Sequence, residues 1–359
     1  MRAWVLSRPA PVERAPLVLH ERPEPTPGEG EIAVEVSVCG VCRTDLHVVC
    51  GELPPHRAEI VPGHQVVGRV VELGPGARRF APGARVGVPW LWRACGRCAE
   101  CLRGDENLCR APLFTGWDRD GGYAERVCAP EDFAYALPDA LDDETVAPLL
   151  CAGIIGYRAL VRSRAKPGQR LGLYGFGSSA HLVLQLARHL GMRVFVATRE
   201  GTHRALALSL GAEWAGALDQ PPPEPLDAAI LFAPAGELVP TALAALGPGG
   251  TLACAGIHMS AIPALDYAAH LFEERTLTSV TANTRADGRA LLELAGRVPL
   301  RPRTTAFPFA RANEALLARG WSEEVVRKVL GENLLRTMRE VELAAERSRS
   351  EPAAPPSTR

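Results

Sequence analysis

Residues 171–181 read Leu171-Gly172-Leu173-Tyr174-Gly175-Phe176-Gly177-Ser178-Ser179-Ala180-His181. This stretch fits the G-x-G-x-x-A pattern of a turn between a β-strand and an α-helix. In that pattern Gly175 allows the tight turn, Gly177 lets a pyrophosphate approach the backbone, and Ala180 lets the helix pack close to the strand. An ordinary strand-to-helix turn has the same local pattern. The strand and helix patterns on both sides favour a dinucleotide-binding unit.

From about residue 151 the sequence alternates short apolar runs with segments of helical period. The predicted strands are Arg170–Tyr174, Arg193–Ala197, Ala228–Phe232 and Thr251–Ile257, and the predicted helices are Leu182–Leu190 and Ala205–Leu210. Such alternation is typical of a parallel sheet covered by helices.

The first 150 residues have a different pattern, in which short strand-like runs are separated by turns. Glu31–Val38 alternates apolar and polar residues, as a half-buried strand does. Two further Val-rich runs, Val66–Leu73 and Val86–Val88, are bounded by Pro-Gly and Gly-Pro-Gly turns. This part of the chain is therefore predicted to be a small, irregular all-β unit.

Composition and charge exclude several classes of protein. A chain of 359 residues suggests about two domains. Its 40 Lys and Arg residues against 41 Asp and Glu leave a net charge of −1, so nothing indicates nucleic acid or a membrane as a partner. The early Arg8 and Pro9 leave no room for a signal-peptide apolar region, and no run of about 18 uncharged apolar residues occurs. We therefore expect a cytoplasmic protein with reduced cysteines.

Four cysteines form a compact group with the spacing Cys-x2-Cys-x2-Cys-x7-Cys. They are Cys95, Cys98, Cys101 and Cys109. Zinc binds four cysteines at short, regular spacing in closed structural sites. Disulfides and an iron–sulfur cluster are the alternatives, but no secretory segment is present and ferredoxin-type clusters use other spacings. The group therefore predicts a structural zinc site.

The residues after the second strand of the βα unit bear on the type of dinucleotide. An acidic residue that accepts the ribose hydroxyls is expected about 20 residues after the glycine-rich turn. The sequence has Thr198 and Arg199 there instead. A cation favours a 2′-phosphate, which indicates NADP(H) rather than NAD(H), although Arg199 could equally be a solvated loop charge beside Glu200.

A second set of candidate metal ligands is widely spaced. Cys42, His64 and Cys151 could hold zinc with its fourth position open, as a catalytic site needs. Each could also be an ordinary core thiol or loop histidine. Spacing alone would not bring the three together.

The chain resembles the zinc-dependent alcohol dehydrogenases of the medium-chain dehydrogenase/reductase superfamily over residues 1–318. The landmarks occur in the family's order: Cys-x-Thr-Asp-x-His at 42–47, Pro-Gly-His at 62–64, the four-cysteine segment at 95–109, Cys151 and the glycine-rich turn. The resemblance implies an α/β protein with two domains and an active site in the cleft between them. A GroES-like β-rich catalytic domain would comprise residues 1–150 and 286–319, and a Rossmann domain with a doubly wound parallel sheet would comprise residues 151–285.

The same resemblance implies two zinc ions per chain. Cys42, His64 and Cys151 would bind the catalytic zinc, and the four-cysteine segment the structural one. Asp45 would accept a hydrogen bond from His64 and fix its tautomer. Thr44 would accept the alcohol proton, and His47 would pass it to solvent through the nicotinamide ribose hydroxyl. Zinc would polarise the substrate oxygen while hydride passes to the nicotinamide.

Cofactor and substrate contacts are assigned by the same resemblance. The residues expected to bind the cofactor are Arg43, Gly175, Gly177, Ala180, Thr198, Arg199 and Arg285. The residues expected to wall an apolar substrate cleft, or else to pack in the core, are Trp90, Leu91, Trp117 and Tyr123. The implied partners are a small-molecule alcohol or aldehyde and further copies of the chain in a homodimer or homotetramer.

The chain departs from the family pattern at two places. Gln65 replaces a Glu that can approach the zinc during ligand exchange, and activity should survive this change. After Leu316 the usual closing β-strand is missing, and an amphipathic helix is predicted over residues 320–348, with a Pro/Ser/Arg-rich disordered tail at 349–359. Residues 316–345 resemble the last helices of the renal-type dipeptidases but carry none of their metal ligands. A fusion or a reading-frame accident would explain this segment, and so would an oligomerisation helix.

Three functional hypotheses follow. The leading one is a zinc alcohol dehydrogenase or aldehyde reductase. A zinc-free reductase of the same superfamily is disfavoured because such reductases lack both cysteine sets. A catalytically impaired zinc- and nucleotide-binding protein is the alternative, and only the altered C-terminus supports it.

Overall fold

The computed structural model describes residues 1–320. The predicted disordered tail, and the predicted C-terminal helix apart from Gly320, lie outside the described residues.

The first unit consists mainly of β-strands. Its strands are β1 (Arg2–Val5), β2 (Val18–Glu21), β3 (Glu31–Cys39), β4 (Val66–Leu73), β5 (Arg85–Val88), β6 (Leu91–Arg93), β7 (Leu113–Phe114), β8 (Arg126–Pro130) and β9 (Tyr135–Ala136), and its helices are α1 (Arg43–Cys50), α2 (Ala99–Leu102) and α3 (Asp143–Val146). Five strands form an antiparallel sheet in the order β8-β3-β4-β5-β9. Ile32, Val34, Val66 and Val86 are fully buried in its core. The predicted β-rich unit is confirmed, and β3 extends one residue beyond the predicted strand.

The second unit alternates strands and helices. Its elements are α4 (Ala152–Ser163), β10 (Arg170–Tyr174), α5 (Ser178–His189), β11 (Arg193–Ala197), α6 (Gly201–Ser209), β12 (Trp214–Gly216), β13 (Leu226–Leu231), α7 (Leu238–Ala244), β14 (Leu246–Cys254), α8 (Tyr267–His270) and β15 (Thr276–Ser279). Helix α9 (Arg285–Ala295) follows, in the part of the chain predicted to return to the catalytic domain. Six parallel strands lie in the order β12-β11-β10-β13-β14-β15. The predicted doubly wound sheet is confirmed. Its strand order reverses between β10 and β13, and ligands of such sheets bind at the carboxyl ends of the strands at that point.

The predicted boundaries in the second unit are least accurate at β14. The strand begins five residues before the predicted Thr251, because the ladder with β13 resumes at Leu246 after an irregularity. It ends at Cys254, three residues before the predicted Ile257.

Helix α4 leads from the first unit into the second. It packs on α5, where a Cβ atom at Gly156 would lie 2.7 Å from Val183, so the approach of the two helices depends on glycine. Helix α9 contributes Leu291 to a core that also contains Leu150 and Leu182, so the two units share buried apolar surface.

The last described helix returns to the first unit. This helix, α10 (Ala312–Gly320), follows a 3₁₀ turn at Phe309–Arg311. Its Leu316 is fully buried in a core with Leu46 and Val49 of α1. The described end of the chain is therefore held against the helix that carries several of the predicted site residues.

Within residues 1–320, no single helix has both the length and the apolar character needed to cross a membrane. One bent pair of helices, Asp143–Leu150 with Ala152–Ser163, meets that test by length and composition only.

Candidate active site

The structure brings Cys42, His64 and Cys151 together. Their ligand atoms lie within 4.8 Å of one another. Cys42 Sγ is 3.7 Å from Cys151 Sγ and 3.3 Å from His64 Nε2. A tetrahedral zinc ion with ordinary bond lengths needs about 3.8 Å between two sulfurs and about 3.6 Å between sulfur and nitrogen. The three residues therefore fit a zinc ion with a fourth position left open.

Helix α1 positions this set through its N-terminus. Cys42 is the N-cap, and its sulfur accepts a hydrogen bond from the Thr44 N–H at 3.4 Å. One carboxylate oxygen of Asp45 accepts the Cys42 N–H at 2.8 Å, which completes a capping box. The other oxygen lies 3.0 Å from Nδ1 of the buried His64. Asp45 thus joins the helix cap to His64 and leaves Nε2 facing Cys42, the arrangement expected from the sequence.

The local electrostatics favour a cation at this set. The hydrogen bond with Cys151, which outweighs burial, and the neighbouring His64 lower the pKa of the Cys42 thiol well below its usual value. Burial opposes a charge on His64, but Asp45 and Cys42 outweigh it and raise the pKa of that imidazole. The Cys42 thiolate supplies negative charge for a divalent cation, which would displace the protons that the raised pKa values of His64 and Cys151 keep on those two groups.

The two predicted proton-transfer residues lie on α1, Thr44 in its first turn and His47 one turn later. Thr44 and His47 are both buried and are three residues apart, which places them on one face of the helix. His47 Nδ1 is in hydrogen-bond contact with the carboxylate of the half-exposed Glu52, just beyond the helix end. Its ring also lies edge-on to His258, with centroids 4.9 Å apart. A chain of polar groups therefore leads from the interior of the site towards the surface.

The predicted substrate residues separate into two groups. Trp90 and Trp117 lie in a stacked aromatic cluster next to His64. Leu91 is only 2% exposed, on the opposite side of the chain from Trp90. Tyr123 is also buried, and its ring lies against Gly63 behind the metal set. Leu91 has the contacts of a core residue, whereas Tyr123 is among the residues that line the large cleft at Cys42, which do not include Trp90, Leu91 or Trp117. The role of all four residues in substrate binding stays a prediction.

A cleft of about 920 Å³ runs from the metal set to the glycine-rich turn. The residues of its wall that bear on ligand binding are Cys42, Gln65, Gly177, Ser178, His181, Arg303 and Arg319. Gln65 is buried, and its amide nitrogen has no hydrogen-bond partner among residues 1–320. The same holds for Nε2 of His181 within that part of the chain.

The glycine-rich turn has the geometry that its sequence predicts. Gly175 has a φ of +85°, and a Cβ atom there would lie 2.9 Å from the Ala233 nitrogen at the end of β13. Gly177 is the N-cap of α5, and a Cβ atom there would point into open space. Ala180 is fully buried under the sheet. The turn therefore leaves room for a pyrophosphate at a helix N-terminus.

The end of β11 carries more positive charge than the sequence analysis identified. Thr198 is buried and Arg199 is exposed. Arg204, one turn into α6, donates hydrogen bonds to the carbonyls of both residues, at 2.9 Å and 2.7 Å. Two guanidinium groups therefore belong to the loop where a 2′-phosphate would lie.

Two further arginines predicted to bind the cofactor have different surroundings. Arg43 is exposed at the first turn of α1. Arg285, at the start of α9, donates from its backbone and its guanidinium to Glu106, with Nη2 at 2.7 Å. Its guanidinium also lies over the ring of Phe133. A cofactor phosphate would have to replace the Glu106 carboxylate, so the assignment of Arg285 stays a prediction.

The four-cysteine segment forms a second potential zinc site. The four sulfurs of Cys95, Cys98, Cys101 and Cys109 lie within 4.8 Å of one another, and two of the separations are 3.4 Å and 3.9 Å. These values bracket the sulfur–sulfur distance of about 3.8 Å in a tetrahedral zinc site. The backbone N–H groups of Arg97 and Cys98 lower the pKa of Cys95 to about 6. The four sulfurs therefore fit a zinc ion whose coordination shell is filled by protein ligands.

Several residues in and around the site were missed by the sequence analysis. They are Glu52, Glu106, Phe114, Arg204 and Arg319. Glu52 follows His47 by five residues, so local spacing could have indicated it. Arg319 donates to Ser178 Oγ at 3.0 Å across 141 positions, and no sequence signal predicts that contact.

Three family profiles match parts of the chain. The alcohol dehydrogenase GroES-like domain matches residues 28–139, and the zinc-binding dehydrogenase family matches residues 180–297. The membrane dipeptidase family, peptidase family M19, matches residues 309–352, in agreement with the resemblance noted for the C-terminal segment.

Individual relatives extend the match to most of the chain. A probable alcohol dehydrogenase of Mycobacterium tuberculosis is 51% identical over 321 residues, covering 88% of this chain and 93% of the relative. A cobalt- and zinc-bound thermostable alcohol dehydrogenase from Pyrobaculum aerophilum is 27% identical, with a TM-score of 0.79 over 90% of this chain and 97% of that one. A putative zinc-binding dehydrogenase from Sinorhizobium meliloti, solved bound to NADP, is 29% identical, with a TM-score of 0.74 over 83% and 90% of the two chains.

Proposed function

Because this chain belongs to the zinc-type alcohol dehydrogenases of the medium-chain dehydrogenase/reductase superfamily, we propose that it interconverts primary or secondary alcohols and their carbonyl products with a zinc ion and a nicotinamide cofactor. The observation that carries the proposal is the donor set of Cys42, His64 and Cys151 at one end of the cleft. A zinc ion bound by two sulfurs and one imidazole nitrogen keeps its fourth position open, which is typical of catalytic rather than structural zinc.

The metal would be held by these three residues, with Asp45 fixing the His64 ring. When bound, zinc supplies a Lewis acid for the substrate oxygen. The structural zinc would be held by Cys95, Cys98, Cys101 and Cys109, which leave no open position. Two zinc ions per chain follow from the two sets.

Thr44 and His47 would move the proton. The Thr44 hydroxyl would accept the proton of the alcohol, and His47 would pass it on through the nicotinamide ribose hydroxyl. Both side chains are buried, so the proton would reach the solvent through the groups that follow them. Glu52 orients the His47 ring and offers a carboxylate between that ring and the solvent.

The cofactor would lie along the cleft with its pyrophosphate over the N-terminus of α5. Gly175, Gly177 and Ala180 shape this part of the site. Arg319, which contacts Ser178 in the first turn of α5, adds positive charge at the same place. Arg43, which is exposed at the first turn of α1, is also proposed to contact the cofactor.

NADP(H) is the proposed cofactor. Arg199 and Arg204 offer two permanent positive charges after β11, and the loop has neutral Thr198 where a ribose-binding carboxylate would be expected. A guanidinium can bind a phosphate through two charge-assisted hydrogen bonds. The structure of the Sinorhizobium meliloti relative bound to NADP agrees with this choice.

The proposal is tested by metal analysis combined with a kinetic screen of alcohols and aldehydes with both cofactors. We expect two zinc ions per chain and alcohol-dependent cofactor reduction. Cys42→Ala should lose one zinc and turnover while still binding the cofactor. Cys254→Ser is the matched control, because this buried thiol lies in β14 and belongs to neither metal set.

Two outcomes would overturn the proposal. Tight cofactor binding and two zinc ions without turnover of any substrate would select the catalytically impaired protein. Full activity of the Cys42→Ala variant would show that the metal set takes no part in the reaction.

A further inference from the structure

We propose that His258 is a positioning residue, which holds the imidazole of His47 for proton transfer from the side of the second unit. The inference rests on the proposed function, since it adds a residue to the same proton-transfer path. It is carried by the contact between the two histidine rings and by the hydrogen bonds that fix the loop on which His258 lies.

Within its own unit, one hydrogen-bonding contact orients the His47 ring. Nδ1 of the ring is in contact with the Glu52 carboxylate, whereas Nε2 has no hydrogen-bond partner among residues 1–320. A contact at one ring atom leaves the imidazole free to pivot, because the terminal torsion of histidine is soft. The His258 ring limits this motion, since it lies edge-to-face with His47 at a centroid distance of 4.9 Å and an interplanar angle of 75°.

The loop that carries His258 is fixed on both sides of that residue. It follows β14, whose carboxyl end lies on the edge of the sheet where ligands of such sheets bind. Before His258, the Ala255 N–H donates to a carbonyl of β13 at 2.8 Å. After it, the Ser260 hydroxyl accepts the Gly236 N–H at 2.8 Å and donates to the Glu237 carboxylate at 2.7 Å. The second unit therefore sets the position of the His258 ring, independently of α1.

His258 has no other polar contact in the described part of the chain. Its side chain is exposed and, within residues 1–320, forms no hydrogen bond or ion pair. Replacement of an exposed side chain of this kind has little effect on stability. A loss of function in His258 variants would therefore report on the contact with His47.

The contact has a chemical consequence for the proposed path. His47 would receive the proton through the nicotinamide ribose hydroxyl, so its ring has to face a ligand that is bound to the second unit. A proton acceptor works only within hydrogen-bond reach of the group that it serves. A residue of the cofactor-binding unit that aligns the ring should therefore influence proton transfer and leave cofactor affinity unchanged.

The test compares His258→Ala with His258→Phe, in which the ring is kept but cannot carry a proton. We expect His258→Ala to lower the single-turnover rate constant for alcohol oxidation by about 3- to 10-fold, a part of what a positioned proton acceptor contributes. His258→Phe should retain most of the wild-type rate, and the cofactor Kd should stay unchanged in both variants. The matched control is His189→Ala, because this exposed histidine lies at the end of α5 far from the ligand-binding edge.

Nuclear magnetic resonance of the histidine rings gives a second readout that needs no turnover. Isotopic labelling of histidine nitrogen reports each ring, and the His47 signal is assigned by its loss in His47→Gln. We expect this signal to move in His258→Ala, because the neighbouring ring is removed, and to stay in place in His189→Ala.

Wild-type rates in His258→Ala, or an unmoved His47 signal, would overturn the inference and leave the alcohol dehydrogenase function intact. Equal losses in His258→Ala and His258→Phe would also overturn it, because the His258 imidazole would then carry the proton itself. A raised cofactor Kd would do the same by assigning the loop to cofactor binding. Absence of turnover in the wild-type chain would instead overturn the proposed function, and the His47 signal would still show whether the two rings are in contact.

Discussion

At the scale of single residues, the Thr44 hydroxyl is the group on which the proposed proton transfer depends. Thr44→Ala should lower kcat for alcohol oxidation by about 100-fold or more, because a positioned proton acceptor contributes at least that much. Thr44→Ser keeps the hydroxyl and should be mild. Steady-state kinetics of both variants, with cofactor Kd as the control for binding, provide the check. Near-normal rates in Thr44→Ala would show that this residue does not accept the proton.

Glu52 is the second residue whose role can be isolated. Glu52→Gln keeps an acceptor for His47 but removes the negative charge, so proton release should slow by about 3- to 10-fold. The solvent deuterium isotope effect on alcohol oxidation should rise accordingly. Glu59→Gln is the matched control, because Glu59 pairs with Arg22 on the surface. An isotope effect that stays at the wild-type value would mean that Glu52 only holds the ring in place.

At the scale of elements, the four-cysteine segment is expected to contribute stability rather than chemistry. Cys98→Ser should remove one zinc per chain and lower the melting temperature by on the order of 5–10 °C, because a closed zinc site contributes folding free energy. The kcat of the folded fraction should change little. Cys128→Ser in β8 controls for loss of a thiol. A variant that melts normally but has lost turnover would reverse the roles of the two metal sites.

Arg285, at the start of α9, pairs with Glu106 of this segment and could have either of two roles. Arg285→Gln breaks the ion pair with the buried Glu106, so a structural role predicts a lower melting temperature with an unchanged KM for the cofactor. A cofactor-binding role predicts a higher KM with little change in stability. Thermal melts and cofactor titrations of the same preparation distinguish the two.

The loop between β11 and α6 is the element that sets the proposed cofactor preference. Replacing Thr198 by Asp and Arg199 by Ser adds repulsion and removes attraction for a 2′-phosphate. The ratio of kcat/KM for NADPH to that for NADH should fall by about 10- to 100-fold. A wild-type enzyme that prefers NADH would show that Arg199 does not face the adenosine ribose.

At the scale of the whole molecule, the consequence of the unusual C-terminus can be tested by truncation. Deleting residues 321–359 leaves α10 in place, and its Leu316 remains buried against Leu46 and Val49. The sequence beyond it places apolar residues Val329, Leu334, Met338 and Val341 on one predicted helical stripe, which needs an apolar surface. We expect the truncated chain to differ in solubility or association state while it keeps most of its activity. Melting temperature, sedimentation and activity are compared with the full-length chain, and three unchanged values would make the segment a passive appendage.

Local patterns were sufficient for two features of this protein. The strand, turn and helix around Gly175 follow from sterics within a few residues, because only glycine readily adopts a φ of +85°. The four cysteines of the structural site lie within 15 consecutive residues, so their spacing already restricts them to one small volume.

The remaining features depend on contacts between distant residues. Cys42 meets His64 across 22 positions and Cys151 across 109, and no local pattern forces those approaches, so only the family resemblance identified the set before the structure did. Arg285 contacts Glu106 across 179 positions, so the guanidinium group that the family resemblance assigned to the cofactor is paired with a carboxylate instead. The stacking of Trp90 on Phe114 likewise needs the pairing of β6 with β7. Local sterics determine turns and ligand spacing, whereas the packing of whole elements decides which side chains share a site.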